Sequence, residues 1–297
     1  MSPSANSLRR TLLHRAWMQW IALGVDAVGE RDEAVVDPEA LITLTAELGD
    51  ADARLRDVST DWCVAYGRYV NGSRLKQVVR ELSTPSQAIG EYVATVAAAG
   101  GPTWPMATQP RSHYTTRGKA RLESALALPR LRIRLRAAFG VNARADVMAA
   151  LLAAPEVGLS VADIARKTRF TKPNVAFAVD ALVLAGLLEA RAVGNQRRVT
   201  LVRPGEILPG LRPPVVQPDW VDRFGVALEV LRFAGQDGMS PSVRAIEARS
   251  VVQGLLARIA SEGLPQPILE AFGDDFATAF DHWVVQLIDC LEGPIQR

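Results

Sequence analysis

"TRFTKPNVAFAVDALVLAGLLEARAVGNQRRVTL", Thr168–Leu201, joins three unlike pieces. A cationic turn runs into Thr171, a residue suited to capping a helix, and Pro173 falls in the first turn, where a missing N–H costs little. Val175, Val179 and Leu182 then recur on one helical face, and Gly186 stands near that helix's end. "LLEARAV" and "QRRVTLV" alternate like two strands, and Gly194-Asn195 between them is a two-residue hairpin signal.

Upstream, "LSVADIARKT" begins at Ser160, with Asp163 three residues on. That spacing predicts a capping box and a short helix. Ahead of it, a helix is expected over roughly 143–153. Three helices followed by a two-stranded ribbon make a winged helix-turn-helix. "LPRLRIRLRAAFG" stays open. Leu131, Ile133 and Leu135 alternate with Arg132, Arg134 and Arg136, which suits a strand or an arm along a phosphate backbone, and equally the first turns of a helix ending at Gly140.

The rest of the 297 residues reads as helix and linker. "DPEALITLTAELG" has a cap at Asp37, proline at the first helical position and a glycine stop at Gly49. "DVSTDWCVAYGRYV" breaks at Asn71–Ser73, and "SRLKQVVREL" is expected to start from Ser73 as cap. That pair is read as packing within a helical domain, with a second reading head as the alternative. Residues 99–121 and 204–219 are rich in Gly, Pro, Ser or Thr and read as linkers or irregular loops. "DWVDRFGVALEVLRFAG", "SPSVRAIEARSVVQGLLARIA" and "DDFATAFDHWVVQLIDCLEG" are three further helices. Trp283, Val284, Leu287, Ile288 and Leu291 form one apolar stripe on the last. The expected fold class is mainly α: a winged helix-turn-helix over 122–203, flanked by N-terminal (1–98) and C-terminal (220–297) helical domains.

Net charge is +2, but its distribution is uneven. Residues 109–203 hold 17 of the 34 basic residues and 6 of the 32 acidic ones, so the flanks are net acidic. A basic middle between acidic flanks points to a polyanionic partner. An apolar share of 48% excludes global disorder, and no uncharged apolar run is long enough to suggest a membrane span. Arg9, Arg10 and Arg15 near "AWMQWIALGV" echo a signal peptide. Gln19 interrupts the run, and an amphipathic helix packed on the body is the preferred reading. Cys63 and Cys290 are expected to be buried free thiols in a reducing cytoplasm. The three histidines are scattered, and no metal or other cofactor is expected. G-x-S-x-G, H-E-x-x-H, P-loop and G-x-G-x-x-G patterns are missing, and "FGDDF" reads as a helix start, so an enzyme is not expected.

The stretch "SVADIARKTRFTKPNVAFAVDALVLAGLLEARAVGNQRRVTL" resembles the winged-helix transcription regulators of the ArsR and MarR type. It shares their polar turn, their "KPNV"-like helix start, their "L..AGLL" helix end and their basic wing. The flanks resemble uncharacterised regulator-like bacterial proteins. The resemblance implies that the third helix enters the major groove of double-stranded DNA and the wing touches the neighbouring backbone. Carried over by position, Thr171, Lys172 and Asn174 open the reading helix, and Phe177 meets a thymine methyl. Arg191, Asn195, Arg197 and Arg198 lie on the wing, and Arg166, Lys167 and Arg169 are phosphate clamps at the turn. At Ala176–Ala178, where such regulators often carry Ser or Arg, only apolar groups stand, so direct readout is thin: either the wing and DNA shape supply the specificity, or this helix packs on protein. A cytoplasmic homodimeric repressor is the expected protein. A module that binds a protein partner, antitoxin-like, is the alternative.

Overall fold

A computed structural model describes residues 3–111, 113–122, 127–194, 196–236, 238–271 and 273–295. Five helices come first: α1 (Pro3–Ala22), α2 (Pro38–Leu48), α3 (Ala53–Tyr66), α4 (Gly72–Glu81) and α5 (Ser86–Ala98). After an irregular segment the chain forms α6 (Leu131–Phe139), α7 (Ala143–Ala153), β1 (Leu159–Ser160), α8 (Val161–Thr168), α9 (Lys172–Leu184), β2 (Leu188–Val193) and β3 (Gln196–Leu201). It closes with α10 (Trp220–Ala234), α11 (Pro241–Ser261) and α12 (Gly273–Glu292). The architecture is mainly α with a central winged helix-turn-helix, as the periodicity predicts. No described helix is long and apolar enough to cross a membrane.

Local signals fall where capping chemistry puts them. Asp37 accepts from the Glu39 and Ala40 amides at the start of α2. Ser160 and Asp163 form the reciprocal capping box of α8. Two expectations change and one open choice closes. The wing is three-stranded, in the order β1-β3-β2, because Leu159 and Ser160 pair antiparallel with Val199 and Arg198. Two residues are too few to show a period in sequence. The cap of α4 is Asn71 rather than Ser73: its side chain accepts from the Arg74 amide, starting the helix earlier. Residues 131–136 are helical, with Arg132 and Arg136 buried, which rules out the exposed arm.

Two apolar cores result. One gathers α1–α5 with α10–α12, so helices from both ends of the chain share it. Trp20, Trp62, Trp220 and Trp283 are its largest buried side chains, and each indole N–H finds an oxygen: Thr45 Oγ1, Leu23 O, Val35 O and Pro265 O. The expected α12 stripe faces it, with Trp283, Val284, Leu287 and Leu291 buried and Ile288 partly so. The segment after α5 is irregular yet packed, with Trp104 buried and the Tyr114 hydroxyl donating to Asp57 O and Asp61 Oδ1. The second core belongs to α6–α9 and the sheet. Cys63 is buried and Cys290 partly buried, both as free thiols.

A closed ring of buried charges joins the two cores. Asp37 meets Arg74 (2.5 Å), which meets Glu39 (2.7 Å), which meets Arg136 (2.6 Å). Arg136 meets Asp146 (3.0 Å), which meets Arg132 (2.5 Å), which returns to Asp37 (3.5 Å). The first three groups come from α4 and the start of α2, and the others from α6 and α7. Burial raises the Asp37 carboxyl, but the Arg132 and Arg74 guanidiniums outweigh it and hold the group well below the usual carboxylate range. Asp146 is lowered in the same way, by Arg136, Arg132 and Arg74 against its burial.

Arg74→Met leaves Asp37 and Glu39 short of a cation out of water and is expected to cost about 3–5 kcal/mol. Urea unfolding measures it, and a loss under about 1 kcal/mol would show the ring to be dispensable. Both aspartates have lowered folded values. Their stabilisation is complete above the unfolded carboxylate value of about 4 and is lost as pH falls through the folded values. Melting temperature is therefore expected to drop below about pH 4 in the wild type and to drop less steeply in Asp146→Asn.

Candidate nucleic-acid interface

The start of α9 is built by Thr171, whose side chain accepts from the Asn174 amide at 3.4 Å. Val175, Ala178, Val179 and Leu182 turn inward. That leaves Thr171, Lys172, Asn174, Phe177, Asp180 and Leu184 exposed. Phe177 is 72% and Leu184 90% exposed, so this face is more apolar than a reading helix needs. Ala178 is in the core, which explains one of the three apolar positions, whereas Phe177 points to solvent. Asp180 went unnoticed in the sequence. It puts an acid on the outer face of α9 and binds Arg197 at 2.8 Å.

The wing carries its cations on two faces. Arg191 and Arg198 are cross-strand partners and so share a face, while Arg197 pairs with Ala192 and points the other way, to α9. Arg191 is exposed beside Glu189 (2.7 Å), and Arg198 donates to the carbonyls of Val157 and Gly158. Gly194 is exposed with φ +58°, the left-handed conformation the hairpin needs. Asn195 lies outside the described residues.

At the turn, Arg166 is exposed near Asp163 (3.7 Å), and Lys167 is exposed without a carboxylate partner among the described residues. Arg169 is not a phosphate clamp. It ends α8 with φ +61°, and its side chain is only 5% exposed. It donates to Glu81 (2.8 Å), Asp222 (2.8 Å) and Asp219, so the turn is fastened to α4 and α10. Burial lowers the Arg169 pKa, but Asp219, Asp222 and Glu81 outweigh it and raise the group above the ordinary value. Asp222 is raised by burial and by neighbouring Asp219. The partners lie 50 or more positions away, which no local pattern reveals. The carbonyl of Thr168 also accepts from Arg74 (2.8 Å), so the turn and the charge ring meet.

One cation was missed. Arg144, exposed in the first turn of α7, lines a groove of about 360 Å³ together with Ser73, Asn142, Asn174 and Phe177. The described candidates Thr171, Lys172, Asn174, Phe177, Arg166, Lys167, Arg191, Arg197 and Arg198 remain on one module, and Arg169 leaves the set.

Three helices, a polar-capped reading helix and a basic hairpin define a winged helix-turn-helix domain. Residues 142–199, from the cap of α7 into β3, match the MarR family, which supports a DNA-binding transcription regulator at the level of the family. No curated protein and no solved structure matches the chain.

Arg169→Ala leaves Glu81 and Asp219 without their cation and Asp222 with Arg258 alone (3.5 Å). It is expected to cost roughly 2–3 kcal/mol in urea unfolding, less than a fully buried pair because Glu81 is partly solvated. A surface phosphate clamp would show no such loss, so unchanged stability would return Arg169 to the interface.

Proposed function

We propose that this chain is a DNA-binding transcriptional regulator of the cytoplasm, without catalytic activity, which reads duplex DNA with α9 and grips the neighbouring backbone with the wing. The observation that carries the reading is the joint exposure of the capped start of α9 and the tip of the wing on one module. Asn174 is suited to the paired donor and acceptor of adenine, Lys172 to a phosphate or guanine, and Phe177 to a thymine methyl. Arg191, Arg197 and Arg198 serve the backbone, Arg197 by exchanging Asp180 for a phosphate. The regulator acts as a repressor by occlusion, because the helical body exceeds the winged helix in size and is carried with it onto the DNA. A homodimer doubles the thin half-site contacts, with the two Asn174 residues about 34 Å apart.

Phe177 and Leu184 favour a second reading, in which α9 docks on a partner protein in the manner of an antitoxin. Band shifts with genomic fragments near physiological salt separate the two. The wild type is expected to retard DNA, with a log K against log salt slope of about −4 to −5 if five cations meet phosphate. Arg197→Ala/Arg198→Ala is expected to retard it less. Equal retention by both removes the wing from the interface, and no retention by the wild type favours the protein-docking reading. Light scattering is expected to give twice the chain mass of 32.1 kDa, and a monomer both free and on DNA would exclude the dimer.

A further inference from the structure

We infer that α4, in the N-terminal flank, is part of the nucleic-acid interface and holds the phosphate backbone beside the reading helix. This rests on the DNA-binding reading above and extends it beyond the winged helix. Ser73, Lys76 and Arg80 follow one another at spacings of three and four, and all three are exposed, so they form one polar face of α4. The opposite face, Leu75, Val78 and Val79, is buried in the body.

The position of α4 is set by the contacts already described. Ser73 shares the groove of about 360 Å³ with Arg144, Asn174 and Phe177. One turn on, Gln77 shares a second groove, of about 760 Å³, with Arg166, Thr171 and Lys172. At the end of α4, Glu81 takes Arg169. The Ser73–Gln77–Glu81 edge of α4 therefore runs alongside the turn and the start of α9, and Lys76 and Arg80 stand on the solvent side of that edge. The wing meets α9 farther along, at Asp180. Cations thus flank the exposed length of α9 at two points, α4 beside its start and the wing beside Asp180.

Charge then selects the occupant. Among the described residues, Lys76, Arg80, Arg144, Lys167 and Lys172 have no carboxylate within 4.0 Å, whereas the acids of the seam, Glu81 and Asp222, are already taken by Arg169. Three of the chain's four lysines are in this patch. Lysine is a strongly hydrated point charge that serves a phosphate oxygen without demanding one geometry. Seven residues of helix span roughly 10 Å, against about 3.4 Å of rise per phosphate along one strand, so the face matches a short run of backbone. Because α4 is tied to the turn through Arg74 and Glu81, it approaches the duplex whenever α9 does.

The test uses the full chain and a mixed-sequence duplex, with affinity followed from about 50 to 200 mM salt. Lys76→Gln/Arg80→Gln is expected to bind several-fold more weakly with a log–log slope shallower by about 2 units, while Arg10→Gln/Arg31→Gln, which removes equal charge from the region of α1, keeps the wild-type slope. A photo-crosslinker on Ser73→Cys is expected to label the duplex. Wild-type binding with an unaltered Lys76→Gln/Arg80→Gln slope and no label from position 73 overturns the role of α4 alone. No binding by the wild type overturns the DNA reading and this inference together. All five substitutions are at exposed positions, and unchanged melting curves confirm that each variant is folded.

Discussion

The closed ring of Asp37, Arg74, Glu39, Arg136, Asp146 and Arg132 is the constraint on which the molecule's architecture turns. Six charges out of water are tolerated only because each anion sits between two cations and each cation between two anions. Such a ring has little freedom to shift, since moving one member strands two others. It fixes α6 and α7 against α2 and α4, and Arg74 adds the carbonyl at the end of α8. The winged helix is thereby oriented by the body rather than hung from it.

The uneven charge of the chain gains a second explanation from this. The basic middle and acidic flanks suggest a polyanion, and part of the excess does face solvent. Arg132, Arg136 and Arg169 instead meet Asp37, Glu39, Glu81, Asp219 and Asp222, acids that come from the flanks. Much of the imbalance along the sequence is cancelled within the fold. What is left over gathers at Arg144, Lys167, Lys172 and the wing, and a positional tally of charge cannot separate the two groups.

The winged helix was legible because its signals are local. A capping box, a proline in the first turn and a glycine at a hairpin tip each act within a few residues, and Ser160, Thr171 and Gly194 behave accordingly. Long-range chemistry was not legible. Arg169 looks like any cation in a polar turn until α4 and α10 are folded around it. "LRIRLRAAF" was ambiguous because alternation and a four-residue spacing coincide there: Arg132 and Arg136 stand one turn apart and also on every second position. "NGS" misled in a smaller way, since both Asn71 and Ser73 are good caps and only the backbone decides between them.

Residues 142–199 match a family on their own, but within the fold they are not a separate unit. The core of the winged helix takes in Leu131 and Leu135 of α6 and Val35 of the body, and Asp146 sits with Arg132 and Arg136 of α6 in a circuit whose remaining members belong to the body. Excised together with α6, or grafted onto another carrier, the domain would keep Asp146 with both its cations but leave behind one carboxylate each of Arg132 and Arg136. The body, for its part, would be left with Asp37 and Glu39 sharing Arg74 alone.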